Sequence, residues 1–225
     1  MSGVSEPQVV LAIDTATVVN VGLAAGNDVL AVATASDPRA HAEQLLPQVR
    51  QCLTDGGCQL ADVDHLVVGM GPGPFTGLRV GIATAQILST AGSIPLQGVC
   101  SLDVLAVHYA TQWAPEDGFV VATDARRREV YWAAYTPSGA RLAGPHVGPP
   151  ADVPKMPVIG PAAEVYPDRL FVAPGPRCLD PGVLARMGRS LPSVGSEPLY
   201  LRRADAAEPT RRKSVLVRRS AGRLR

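Results

Sequence analysis

Apolar runs and polar turns alternate regularly at the start of the chain. Residues 9–13 are a continuous apolar run, which predicts a buried central strand, and the run ends in the polar turn 14–17. Two further apolar runs, residues 21–24 and 29–33, are separated by the turn 26–28 and predict a β-hairpin. The chain is therefore expected to open with three strands.

Two helices are expected after this hairpin. Behind Asp37-Pro38, apolar residues recur from Ala42 to Leu53 with the 3.6-residue period of a helix, in which Pro47 is expected to cause a kink or a fresh start. The second predicted helix, residues 78–91, carries Arg79 as its one charged residue. A helix with so little polar surface is either buried on all sides or covered by another chain, and we favour a partner interface.

A glycine-rich loop, residues 71–79, joins the apolar run 65–70 to the second helix. Loops of this build can bind phosphate at a helix N-terminus. Its glycines miss the dinucleotide-binding spacing by one residue, and no lysine follows the last of them. Pro72 and Pro74 also remove two N–H donors. We therefore favour a rigid turn that packs the helix on the strand.

The second half of the chain begins as the first half does. After the strand 96–99, the helix 102–109 and a boundary at 111–118, the apolar run 119–124 ends in Thr-Asp, and residues 129–135 return as a strand. This repeat predicts a weak internal duplication. Residues 136–182 are rich in Pro and Gly, with strand-like patterns only at 157–160 and 169–173, so the second half is expected to be thin.

Three parts of the chain are predicted from these patterns: a first lobe at residues 1–110, a reduced second lobe at 111–201 and a basic tail at 202–225. The tail has nine Arg or Lys and two Asp or Glu, a net charge of +7, in a chain whose total is +1. A solvated terminus is the simpler interpretation of the tail, and contact with nucleic-acid phosphates is the alternative.

Composition excludes several other classes of protein. No apolar run reaches the ~18 residues of a membrane span, and the four cysteines form no C-x-x-C pair. The four histidines are too scattered to indicate a metal site. We expect a cytoplasmic protein with reduced thiols, no metal and no catalytic residues that form a recognisable group.

Polar side chains follow both of the leading strands. Asp14, Thr15 and Thr17 end the first strand, and Asp124 ends its repeat. In one large class of α/β proteins, side chains at these places hold a nucleotide phosphate or Mg²⁺. The alternative is that they form hydrogen-bonded turns that cap the strand ends.

Five stretches taken together resemble the bacterial TsaB family, the noncatalytic subunit of the machinery that makes N6-threonylcarbamoyladenosine in tRNA. They are residues 13–17, 41–47, 71–81, 124–132 and 200–203. The resemblance implies an α/β, actin-like ATPase fold with two lobes that each contain a mixed sheet. In the catalytic relative TsaD, a His-x-x-x-His pair helps to bind the metal, and this chain has Ser101 and Leu105 there, so it is not expected to be the enzyme.

The resemblance also implies partners. A TsaB protein pairs with TsaD through the two first-lobe helices, is joined by TsaE, forms a homodimer when TsaD is absent, and meets tRNA only through the complex. The candidate interface residues here are Leu45, Leu46, Val49, Ile82, Ala85 and Leu88. No cofactor is expected beyond a weakly held adenine nucleotide in the complex. The alternative is a free-standing ATPase, kinase-like or peptidase-like enzyme, which ATP binding by the isolated chain would favour.

Overall fold

The first five strands form one mixed sheet. The structure is a computed structural model, and it describes residues 7–35 and 41–202. The strands run in the order β3-β2-β1-β4-β5, with β1 antiparallel to β2 and parallel to β4. Their bounds are β1 Val9–Asp14, β2 Val19–Ala25, β3 Asp28–Ala35, β4 His65–Gly69 and β5 Leu96–Val99. The predicted central strand and hairpin are confirmed.

Helices cover both faces of this first sheet, because β1 is apolar on both sides. Leu11 and Ile13 face α1 (His41–Asp55) and α2 (Phe75–Gly92), which lie side by side. Val10 and Ala12 face the opposite layer, which contains α3 (Ser101–Trp113). Alternate side chains of one strand therefore enter two different cores. Pro47 lies within α1, which continues through it as one helix.

The second sheet repeats the pairing of the first. Its order is β8-β7-β6-β9, and β6 pairs antiparallel with β7 and parallel with β9, as β1 does with β2 and β4. The strands are β6 Phe119–Asp124, β7 Val130–Tyr135, β8 Arg141–Gly148 and β9 Val158–Ile159. The α/β fold with two mixed sheets, which the family resemblance implied, is confirmed.

Strand β8 is a correction to the sequence analysis, which expected no strand between residues 136 and 156. Its eight residues include Gly144, Pro145 and Gly148, and this composition is typical of a loop. A proline is tolerated here because β8 is the edge strand, where some N–H groups need no partner. The predicted strand at 169–173 contributes only a bridge between Val172 and Val158.

The last α-helix returns the chain to the first sheet. The four-residue helix α4 (Ala162–Val165) packs on the second sheet, whereas α5 (Pro181–Met187) packs against β1, β2 and β3. A Cβ on Gly22 would overlap the carbonyl oxygen of Pro181, so α5 lies directly on β2. The predicted lobe ranges stay a prediction, and residues 203–225 of the predicted tail lie outside the described residues. Within the described part of the chain, no helix is long and apolar enough to cross a membrane.

Candidate functional site

Asp14 is the last residue of strand β1, and its side chain is fully buried. Its Oδ1 accepts the N–H of Ala16 at 2.9 Å, and its Oδ2 accepts the hydroxyl of Ser101 at 2.5 Å. A Cβ on Gly69 would overlap this Oδ2, so the carboxylate fits only because β4 carries a glycine beside it. Both oxygens of Asp14 are thus engaged by the protein itself.

Thr15 is held by the second helix. Its hydroxyl donates to the carbonyl of Gly77 at 2.8 Å, and a Cβ on Gly81 would overlap its Oγ1. The glycine loop lies equally close, because a Cβ on Gly73 would come within 2.7 Å of the carbonyl oxygen of Ala16. The loop and the start of α2 therefore pack directly on the turn after β1.

Asp124, at the end of β6, is half-buried and accepts two hydrogen bonds on Oδ1. The donors are the N–H of Arg126 at 3.0 Å and the hydroxyl of Tyr166 at 3.2 Å. Burial, followed by the charge of Asp124, raises the pKa of the Tyr166 hydroxyl. Tyr166 therefore stays a donor to this carboxylate, and Asp124 organises the turn that follows β6.

The cleft between the two sheets brings some of the predicted phosphate-loop residues together. Asp14 and Thr17 line it with Thr123, but Asp124 is not part of its lining. Its cavity volume is about 10 Å³, and the other lining groups are mainly apolar. Ligand pockets usually enclose ~300–1,000 Å³. The residues present therefore do not fit an adenine nucleotide.

The resemblance to the TsaB family places Ser101 and Leu105 where TsaD is expected to carry its histidine pair, and both are structural residues here. Ser101 donates to Asp14 and also accepts the N–H of Gly71 at 3.2 Å. Leu105 is 3% exposed and belongs to the core between the sheets. Among the described residues, no group of three or more His, Cys, Asp or Glu side chains is placed to hold a metal ion.

Four of the six residues predicted for the partner interface lie inside the chain. Leu45, Val49, Ile82 and Ala85 are at most 4% exposed and pack in the core beneath α1 and α2. Leu46 is 51% exposed, and Leu88 is partly buried against the same core. The helical stripe identified the side of each helix that faces its own sheet, and the interface itself stays a prediction.

Sequence reasoning missed the outward side of α2. Ile87 is 66% exposed and lies in a shallow groove formed with Ala83, Gln86, Thr90 and Ala91. The available signal was a second set of positions, 83, 87 and 91, which repeats every four residues and lies beside the stripe that contains Ile82.

A buried ion pair joins α3 to the second sheet and was also missed. Asp103 accepts the hydroxyl of Tyr135 at 2.8 Å, and the Nε of Arg141 lies 3.4 Å from the same oxygen. Burial raises the pKa of the Asp103 carboxyl, while Tyr135 and Arg141 oppose that rise. Because these three residues come from α3, β7 and β8, the network ties both halves of the chain together.

Fold and site together define an α/β protein with two mixed sheets, whose cleft is filled by its own side chains. Residues 29–173 match the family model described as TsaD, tRNA N6-adenosine threonylcarbamoyltransferase. That range is more than half of the chain, so the chain belongs to this family. The relatives described next confirm that this chain resembles the TsaB members of the family.

Three relatives show how far the similarity extends. TsaB of Escherichia coli, a tRNA threonylcarbamoyladenosine biosynthesis protein, is 41% identical over 100 residues, which are 44% of this chain and 42% of that protein. An uncharacterized protein of Mycobacterium tuberculosis is 43% identical over 206 residues, 88% of this chain and 93% of the relative. The structure of YeaZ from Pseudomonas aeruginosa is 30% identical with a TM-score of 0.69, and the match covers 86% of this chain and all of that one.

Proposed function

We propose that this chain is the noncatalytic subunit of a complex that makes N6-threonylcarbamoyladenosine at position 37 of tRNA. It pairs with TsaD through the exposed sides of α1 and α2, and the pair recruits TsaE. The chemical transfer, from threonylcarbamoyl-adenylate to N6 of the adenosine, takes place on TsaD. The proposal places the chain in the cytoplasm with its tRNA. The observation that carries it is the exposed apolar surface of α2 in a member of this family.

The noncatalytic part of the proposal rests on the cleft. Asp14 and Thr15 are bonded to neighbouring protein groups, and the cleft volume of about 10 Å³ is far smaller than a typical ligand pocket. Ser101, which stands at a metal-ligand position of TsaD, is 4% exposed and bonded to Asp14. A buried and bonded hydroxyl is not available as a nucleophile, so these contacts favour a scaffold over a kinase-like or peptidase-like enzyme.

The pairing surface is proposed to follow the exposed residues of the two helices. Leu46 of α1 and Ile87 of α2 are 51% and 66% exposed, and α1 and α2 lie side by side. Ala83 next to Ile87 leaves room for a helix of the partner to approach closely. The buried residues Leu45 and Ile82 support this surface from below. In the absence of TsaD, a second copy of this chain occupies the same surface.

The test is reconstitution of tRNA modification from purified TsaD, TsaE, threonylcarbamoyl-adenylate synthase and tRNA. This chain is supplied as wild type, as Ile87→Arg, or not at all. Ala85 is unsuitable for such a variant because it is fully buried, and a charged side chain there would disrupt the packing of α2 on the sheet. Leu142→Arg is the matched control, because Leu142 is 63% exposed on the distant edge strand β8.

We expect modified tRNA only when this chain is present, and loss of both product and TsaD binding with Ile87→Arg. The Leu142→Arg control should behave as wild type. Retention of TsaE on immobilised TsaD, measured with each variant, tests recruitment separately. Equal product formation without this chain would contradict the scaffold role, whereas normal pairing by Ile87→Arg would contradict the surface alone.

A further inference from the structure

The excess positive charge of this chain is concentrated after its last described residue. Residues 203–225 contain eight Arg or Lys and two Asp or Glu, a net charge of +6, which leaves a net charge of −5 for residues 1–202. Both acidic residues precede residue 209, so residues 209–225 carry seven basic side chains and no carboxylate side chain. A block of like charge of this kind is typical of a segment that contacts a polyanion.

The described arginines at the point where this segment begins are already engaged. Arg202 donates to the carbonyl oxygen of Ala125 at 3.0 Å and pairs with Glu129. In the neighbouring turn, Arg126 pairs with Asp124. These arginines add little unpaired charge, so the excess positive charge comes from the residues that follow Arg202.

The last few described residues are fixed against the end of the first sheet and the start of α2. The N–H of Leu199 donates to the carbonyl oxygen of Met70 at 2.9 Å. The Tyr200 ring packs on Phe75 with the ring centroids 4.8 Å apart, and its hydroxyl accepts the Nε–H of Arg79 at 3.2 Å. The basic residues therefore follow a point that several contacts hold in place.

This point lies beside the proposed pairing surface. Tyr200 lines a groove together with Ala83 and Gln86 of α2. The same two residues of α2 line the neighbouring groove that contains Ile87. The segment that leads into the basic residues is thus continuous with the surface on which we place TsaD.

Covalent geometry keeps the basic residues near this surface. A residue of extended chain spans at most ~3.6 Å, so the cluster Arg211 to Lys213 begins within about 32 Å of Arg202. The next pair, Arg218 and Arg219, begins within about 58 Å of it. A tethered group acts at an effective concentration of up to about millimolar when its ligand is within reach. RNA bound by a partner on this surface is such a ligand.

We infer that residues 203–225 contact the phosphate backbone of the tRNA that the partner holds. The choice of tRNA rests on the proposed function, whereas attraction to a polyanion rests on the charge alone. These residues include no aromatic side chain on which a base could stack, so the contact is made to phosphates and has no sequence preference. The family, which is described by a tRNA modification activity, favours RNA over an anionic lipid surface as the ligand.

Variants of the full-length chain separate charge from other effects. One variant replaces Arg211, Arg212 and Lys213 by glutamine, and a second carries Arg211→Lys and Arg212→Lys, which retain the charge. Single substitutions provide a matched pair, Arg212→Gln in the basic segment and Arg189→Gln in the described part. Arg189 bonds to Gln8 at the opposite end of the first sheet from the start of α2.

Each variant, without TsaD, is titrated with unmodified tRNA at several salt concentrations and with phosphatidylserine vesicles. We expect the triple glutamine variant to bind tRNA about tenfold more weakly and to lower the slope of log affinity against log salt by about 2. Arg212→Gln should lower this slope by about 0.7, whereas Arg189→Gln and the lysine variant should match wild type. In the reconstituted reaction, the triple variant should raise the KM for tRNA with kcat and TsaD binding unchanged.

The inference is overturned if the wild-type chain binds no tRNA, or if the triple glutamine variant binds it as tightly as wild type or more tightly. Binding to the vesicles without binding to tRNA would also overturn it, and would assign the basic residues to a lipid surface. The titrations contain no TsaD, so they do not depend on pairing, which the Ile87→Arg variant measures. Modification that proceeds without this chain would contradict the proposed function and leave the result of the tRNA titration unchanged.

Discussion

Replacing Gly81 by alanine tests whether this small residue of α2 makes room for Thr15 or for a partner helix. An added Cβ would overlap Oγ1 of Thr15 and lie 3.1 Å from its Cγ2. Thr15 is 1% exposed, and its hydroxyl donates to the carbonyl of Gly77. Thr15 has no free space to move into, so the substitution should strain the packing and weaken this hydrogen bond. If Gly81 instead made room only for a partner helix, alanine would stabilise the isolated chain.

The expected change in the free energy of unfolding can be worked out from these contacts. Alanine in place of glycine within a helix contributes about 1 kcal/mol of stabilisation. Overpacking a closed site costs about 1–3 kcal/mol, and losing one buried hydrogen bond costs about 1 kcal/mol. The sum is a destabilisation of about 1–3 kcal/mol. In a chain of this size, each of these kcal/mol lowers the melting temperature by about 2–4 °C.

The assay is urea unfolding of the isolated chain, followed by circular dichroism and tryptophan fluorescence. The slope of the unfolding free energy against urea concentration should be the same for each variant. Thr90→Ala on the exposed side of α2 is the control and should change stability by less than about 0.5 kcal/mol. Gly81→Ala should cost less when Thr15 is also alanine, because Oγ1 and Cγ2 are then gone. Equal or higher stability of Gly81→Ala in the wild-type background would refute the reasoning.

Three further predictions concern other parts of the chain. The Asp180 side chain accepts two backbone N–H groups at the start of α5, so Asp180→Ala should cost about 1 kcal/mol in urea unfolding, and an unchanged midpoint would argue against this cap. Burial raises the pKa of the Asp103 carboxyl, so the stability that its protonated form contributes is present below about pH 4 and is lost as the pH rises through the folded pKa. Asp103→Asn should therefore gain stability relative to wild type as the pH is raised above 4, and a pH-independent difference would contradict this. Burial also raises the pKa of the Cys100 thiol to about 12, so a thiol reagent at neutral pH should label the exposed Cys178 first, as mass spectrometry can show; simultaneous labelling would disprove it.

Much of the framework could be predicted because its signals are local. The apolar runs that become β1 and β6 are bounded by polar turns, and each is central to its sheet, so run length and turn chemistry were sufficient. Strand β8 was missed because its residues, Gly144 and Pro145 among them, have a low strand propensity. Its pairing with β7 supplies the backbone partners that its composition does not indicate.

The candidate sites were predicted less completely. Asp14 and Thr17 do meet in the cleft, as expected from their place after the first strand. Whether the cleft had room for a ligand depended on Ser101 and on glycines such as Gly69, which come from other elements. The glycine-rich loop drew attention to the start of α2, but no sequence pattern indicated that Arg126 and Arg202 line one pocket there, because only folding brings them together.

By itself, the sequence determined which segments are apolar, where the chain turns and which residues share one face of a helix. Those are properties of a single segment and its neighbours. Only the tertiary structure decided which face another element covers. Ile82 and Ile87 are the same residue type on the same helix, yet Ile82 is 4% exposed and Ile87 is 66% exposed. The physical reason is that burial is set by distant segments, here the first sheet beneath α2. Helical periodicity shows which residues share a face, but it does not show which segment covers that face.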